Sequence, residues 1–138
     1  MKVKSRGEAG ASAVEFAIIL PVLLLLIFGI IEFGFAIYDK TMITHASREG
    51  ARAGIVFRVP VVTDDEIVNV VNNYLSDTLI TFGGSNSATV TVTRAGYNAG
   101  DPLKVTVAYT YTSLMLPDLV ATLSREFNMV AETTMRME

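Results

Sequence analysis

The chain has no cysteine and a single histidine, His45, among its 138 residues. Without a thiol there is no disulfide framework, no thiolate nucleophile, no zinc knuckle and no iron-sulfur site. With one imidazole, a two-histidine metal site cannot form within a single chain, and the common hydrolytic chemistries fall with it. Charge is also scarce: 18% of residues are ionisable and the net charge is -3, which describes neither a polyelectrolyte nor a nucleic-acid binder. The length admits one domain at most and excludes a multidomain enzyme.

What the chain does have is apolar residues, 51% of the total. They are concentrated at one end. Phe16 to Ile31 reads FAIILPVLLLLIFGII without a polar side chain, bounded by Glu15 and Glu32. A helix over Ala11 to Ala36 would be about 39 Å long at ~1.5 Å per residue, more than a hydrocarbon core of ~30 Å requires. The other reading, a buried core helix, needs more apolar surface than so short a chain has left to wrap it. Lys2, Lys4 and Arg6 precede the run, whereas Glu32, Asp39 and Lys40 follow it, so the positive-inside bias keeps the N-terminus cytoplasmic and exports the rest. The residues after Ile31, EFGFAIYDK, lack the small-x-small pattern of a signal-peptide cleavage site on the far side.

Glu15 is the residue of this segment that most needs a reason. A carboxylate near the membrane edge can reach for the interface, but an ionisable group there is costly and implies a cationic partner. A cut after Gly10 would create one: a free ammonium on Ala11, with Glu15 at the fifth position of the new chain. It would also remove three cations and one anion (Lys2, Lys4 and Arg6 against Glu8), taking the net side-chain charge from -3 to -5. A glycine at the cut lets a protease approach an extended backbone closely. Pro21, deep in the run, removes a backbone hydrogen bond and can kink or locally melt the helix.

The basic leader, the Gly10-Ala11 junction followed by ASAVEF, the Leu20-Pro21 pair, the ending GIIEFG and the later HASREGARAG from His45 to Gly54 resemble the class III signal sequences of type IV pilin-like proteins. More closely, they resemble the TadE-like pseudopilins of tight-adherence (Tad, Flp) pilus systems. That resemblance implies a minor pilin or pseudopilin of the bacterial inner membrane. A prepilin peptidase would cut it after Gly10 on the cytoplasmic side, and it would be assembled into, or prime, a Tad-type pilus or secretion apparatus for adhesion or biofilm formation. Its partners would be the inner membrane, the peptidase, other pilin or pseudopilin subunits and the Tad assembly machinery. No nucleophile, base and orienting group can be assembled from recognisable spacing, so no enzyme activity, cofactor, metal, nucleic acid or small-molecule substrate is expected. In an assembly the Ala11 ammonium of one subunit would neutralise Glu15 of a neighbour, a pairing that sets register more than it stabilises. The alternative is a permanently anchored single-span envelope protein whose exported domain binds a periplasmic partner. It predicts an intact leader.

Beyond the membrane the helical pattern continues without a strong breaker to about Gly54. Residues 1–10 then form the leader, 11–36 the transmembrane helix, and 37–138 the exported domain, which includes that continuation. Ala46, Gly50 and Gly54 recur every four residues, a ridge suited to close packing within the domain or between subunits. Helix termination is the other reading of Gly54. Arg48, Glu49 and Arg52 read as a solvated face and His45 as a surface residue.

Thr63 and Glu66 have capping-box spacing, and the stripe Ile67, Val71, Tyr74, Leu75 and Leu79 predicts a second helix over Asp64 to Leu79. FGGSNS is a connection. Val90 and Val92 alternate with threonines as in a half-buried strand, residues 96–102 supply a turn, and Val105, Val107, Tyr109 and Tyr111 share one face of the returning strand. Pro117 can open a short helix over Asp118 to Leu123, and Phe127, Met129, Ala131, Thr133 and Met135 alternate as a third strand. The fold class expected is α+β and pilin-like: a long N-terminal transmembrane helix, a second helix, and an antiparallel sheet of about three strands. The acidic run Asp64, Asp65 and Glu66 reads as a cap complementing the helix dipole rather than a metal site, and Asn98 to Asp101 as a turn rather than a calcium loop.

Overall fold

The structure, a computed structural model, describes residues 6–81, 87–113 and 126–138. Residues 1–5 of the expected leader, most of the FGGSNS connection and the short helix expected at Asp118 to Leu123 lie outside the described residues. Five elements follow one another: α1 (Arg6–Ile55), α2 (Asp64–Leu75), β1 (Thr89–Arg94), β2 (Pro102–Thr112) and β3 (Glu126–Arg136). They form the expected α+β layout, with an antiparallel sheet in the order β1-β2-β3.

Helix α1 is unbroken from Arg6 and runs through both Gly10 and Pro21. Pro21 has no N–H to offer the carbonyl of Ala17, yet the helix does not melt there. Helix α2 starts on the expected capping box: the Thr63 hydroxyl accepts from the Glu66 N–H at 3.3 Å, and the Glu66 carboxylate accepts from the Thr63 N–H at 2.8 Å. Arg58 pairs with that same carboxylate, and the two contacts hold Glu66 below the usual carboxylate range.

The second helix ends earlier than the apolar stripe predicts. It stops at Leu75, and Leu79 reaches the core through a turn in which its N–H bonds the Leu75 carbonyl. Tyr74, expected on the inner stripe, is 37% exposed because it sits at the edge of the contact. Ile67, Val71 and Leu75 form the buried face.

In the sheet, Val90 pairs with Val107 and Val92 with Val105, while Tyr109 pairs with Met129 and Tyr111 with Phe127. Alternation puts Leu103, Val105, Val107, Tyr109 and Tyr111 on the inner face, all buried. The β1–β2 turn is closed by Asp101, whose carboxylate accepts from the Asn98 N–H at 2.9 Å, and by Gly100 at φ 92°, a conformation that favours glycine. Arg94, at the end of β1, forms an ion pair with Asp64 at 2.6 Å and lies 4.8 Å over the Tyr97 ring, tying the sheet to the start of α2. The core lies between the inner face of this sheet, α2 and the C-terminal half of α1.

Candidate functional site

The features that bear on function are strung along α1. At its lower end Gly10, Ala11 and Glu15 are all exposed, and a Cβ added at Gly10 would meet nothing within 4 Å. Ala11 and Glu15 are one turn apart, on the same face of the helix. Because Gly10 and Ala11 are helical, a protease acting between them has to unwind this turn first.

From Gly10 to Ile31 no residue is buried, although the segment is almost wholly apolar. Ile18 is 69% exposed and Phe16, on the opposite side of the helix, 60%. This is the single span among the described residues that is long and apolar enough to cross a membrane. A surface of this kind needs a solvent other than water.

At Glu32 the surroundings change. Its carboxylate is buried and accepts from the Tyr111 hydroxyl at 2.7 Å. Burial, and then this bond to a carboxylate, push the Tyr111 phenol well above its usual range. Two turns on, Asp39 is fully enclosed and accepts the Ile80 N–H at 3.0 Å. Burial raises its pKa, and the amide bond offsets this in part. The Tyr109 phenol is pushed up to about 12, first by burial and then by the negative charge of Asp39. Further along, the buried Ser47 hydroxyl shares a 2.8 Å bond with that of Thr133.

The ridge Ala46, Gly50 and Gly54 faces inward. A Cβ on Gly50 would lie 2.5 Å from Val71 Cγ2, and one on Gly54 would lie 2.5 Å from both Ile67 Cδ1 and Leu103 Cδ2. The ridge therefore packs against α2 and β2 of its own chain. His45, Arg48, Glu49 and Arg52 are exposed on the other side. Among the described residues, no three histidine, aspartate or glutamate side chains are grouped to hold a metal ion.

Sequence reasoning missed the buried acids, treating Glu32 and Asp39 as flanking charges outside the apolar run. The signal was present in their spacing. Residues 32, 36, 39, 43, 46, 50 and 54 follow one another at steps of three and four, which is one stripe of a helix.

Residues 10–52 match the family model described as TadE-like protein. No curated protein and no solved structure matches the chain.

Proposed function

Since the chain belongs, through residues 10–52, to the TadE-like family, we propose that it is a minor pilin or pseudopilin, cut after Gly10 by a prepilin peptidase and assembled into, or priming, a Tad-type pilus or secretion apparatus. The observation that carries this reading is the split character of α1. One helix serves as an uncovered apolar rod over its first half and as the spine of a small exported domain over its second.

Ala11 to Ile31 measures about 31 Å at ~1.5 Å per residue, which fits the ~30 Å hydrocarbon core. Lys2, Lys4 and Arg6 hold the N-terminus on the cytoplasmic side. Cleavage removes this basic anchor, so the helix is easier to withdraw from the bilayer into an assembly. The new Ala11 ammonium then supplies a cation for Glu15 of a neighbouring subunit in a low dielectric, where an unpaired carboxylate is expensive. In this reading the protein is a structural subunit, and its chemistry is limited to being a peptidase substrate.

The Gly10→Ala variant tests the processing step cleanly, because open space around Gly10 leaves the fold untouched. Uncut chain should accumulate in cells containing the peptidase, and normal processing would remove Gly10 from the recognition site. Glu15→Val should still be cut but should co-purify less with partner subunits. Unchanged co-purification would refute the register role. A leader that stays intact in the native envelope supports the permanently anchored alternative.

A further inference from the structure

At the membrane-proximal end of the sheet lies an apolar groove that neither the processing site nor the glycine ridge uses. Its walls are Gly29, Phe33 and Ala36 of α1, Tyr111 of β2, and Phe127 and Met129 of β3. It encloses about 250 Å³. Glu32 also lines it, but that carboxylate is already engaged by the Tyr111 hydroxyl, so the groove presents mainly hydrocarbon and aromatic surface. Phe33 and Phe127 remain 68% and 50% exposed.

The height of the groove identifies what fills it. Strand β2 runs down α1, with Leu103 beside Gly54 and Tyr111 beside Glu32, so the end of the sheet carrying Tyr111 and Phe127 points at the bilayer. Measured from Ala11, the helix has risen about 27 Å at Gly29 and about 33 Å at Phe33 at ~1.5 Å per residue, bracketing the edge of a ~30 Å hydrocarbon core. The groove is also continuous with the lipid-facing surface of the span, through Gly29. Phe33 and Phe127 have no polar tip to turn to water, so the hydrocarbon edge of a bilayer suits their exposed rings better than solvent does.

We propose that the groove takes an acyl chain from a phospholipid of the leaflet facing the exported domain, seating that domain on the bilayer before assembly. The proposal rests on the membrane-spanning reading of residues 11–31. It is independent of whether the leader is cut.

The chain has no tryptophan, so one introduced indole is a unique fluorophore. The full chain would be placed in phosphatidylcholine–phosphatidylglycerol vesicles in which one phospholipid carries bromine either high or deep on its acyl chain. Phe127→Trp should be quenched about twofold more by the shallow bromines than by the deep ones, as its level at the hydrocarbon edge requires. Leu24→Trp, in mid-span, should show the reverse order, and Phe57→Trp, at the far end of α1, no quenching. Adding Ala36→Leu fills the groove and should weaken the quenching of Phe127→Trp, and Phe33→Trp reports from the facing wall should Phe127→Trp fail to fold. If Leu24→Trp is quenched while both groove positions are silent, the span stands and the lipid proposal falls, the groove being closed by chain or by a second copy. Quenching unaffected by Ala36→Leu would reduce the contact to a surface one and overturn the groove. A silent Leu24→Trp would overturn the membrane reading, and the proposal with it.

Discussion

The two halves of α1 meet opposite surroundings. Residues 10–31 carry almost nothing but apolar side chains, and none is buried. Residues 32–55 are mixed in character, yet Asp39, Ile43, Ala46, Ser47 and Ala51 are fully enclosed. Burial therefore does not follow hydrophobicity along this helix. It follows whether the chain supplies a partner surface, and it does so only where α2 and the sheet are in reach. The half that lacks a protein partner is the half whose composition suits lipid or a neighbouring helix. The half that has one carries small residues at the contact and gives each buried polar side chain at least one hydrogen bond, Glu32 with Tyr111, Asp39 with the Ile80 N–H and Ser47 with Thr133.

A single substitution made in each half gives the strongest test of this contrast. Ile43→Ala removes a fully buried side chain and should cost the C-terminal domain about 2–5 kcal/mol. Ile27→Ala, at a position 40% exposed in the span, should leave domain stability within about 0.5 kcal/mol. Denaturant unfolding of the detergent-solubilised chain, followed by near-ultraviolet tyrosine signals, reads both. Equal losses would mean the lower half is part of the domain core.

Glycine exchanges should differ in sign rather than size. At Gly54 a methyl group collides with Ile67 and Leu103, and overpacking of about 1–3 kcal/mol outweighs a helix-propensity gain of about 1 kcal/mol. At Gly34, on the open side of the same helix, an added Cβ meets nothing within 4 Å, so only the gain remains. Gly54→Ala should lower the unfolding midpoint and Gly34→Ala should raise it or leave it unchanged. A midpoint that rises in both would show that the ridge can give way.

Much of this contrast is legible in the amino-acid sequence itself. The apolar run, its length and the helix's reach to about residue 54 follow from composition and the absence of a breaker, and α1 ends at Ile55. The capping box and the inner face of β2 are local patterns that survive folding. Glu32 and Asp39 share the spacing of the buried stripe but were passed over as core residues, because a charged side chain reads as exposed until its partner is known. Their partners, Tyr111 and the Ile80 amide, lie far away in sequence. The early end of α2 has a similar origin. Leu79 keeps helical phase with Leu75, but Asp39 holds the Ile80 N–H from another element, and the chain turns before reaching it.

Asp39 also gives the smallest expected effect, read against pH. Its folded pKa lies above the ordinary 3.8, so the native state keeps a proton after the unfolded chain has released it. Stability then declines as pH rises above about 3.8, until the folded carboxyl has ionised too. Asp39→Asn keeps an acceptor for Ile80 without the charge. It should flatten that decline and leave the domain at least as stable as the parent at pH 7. Parallel stability curves for the two proteins would contradict the assignment.

The processing claim is tested most directly by the intact mass of the protein isolated from its own cell envelope. The account predicts a chain beginning at Ala11, with Met1 to Gly10 absent. A mass that retains Lys2, Lys4 and Arg6 in protein recovered with its assembly partners would contradict it.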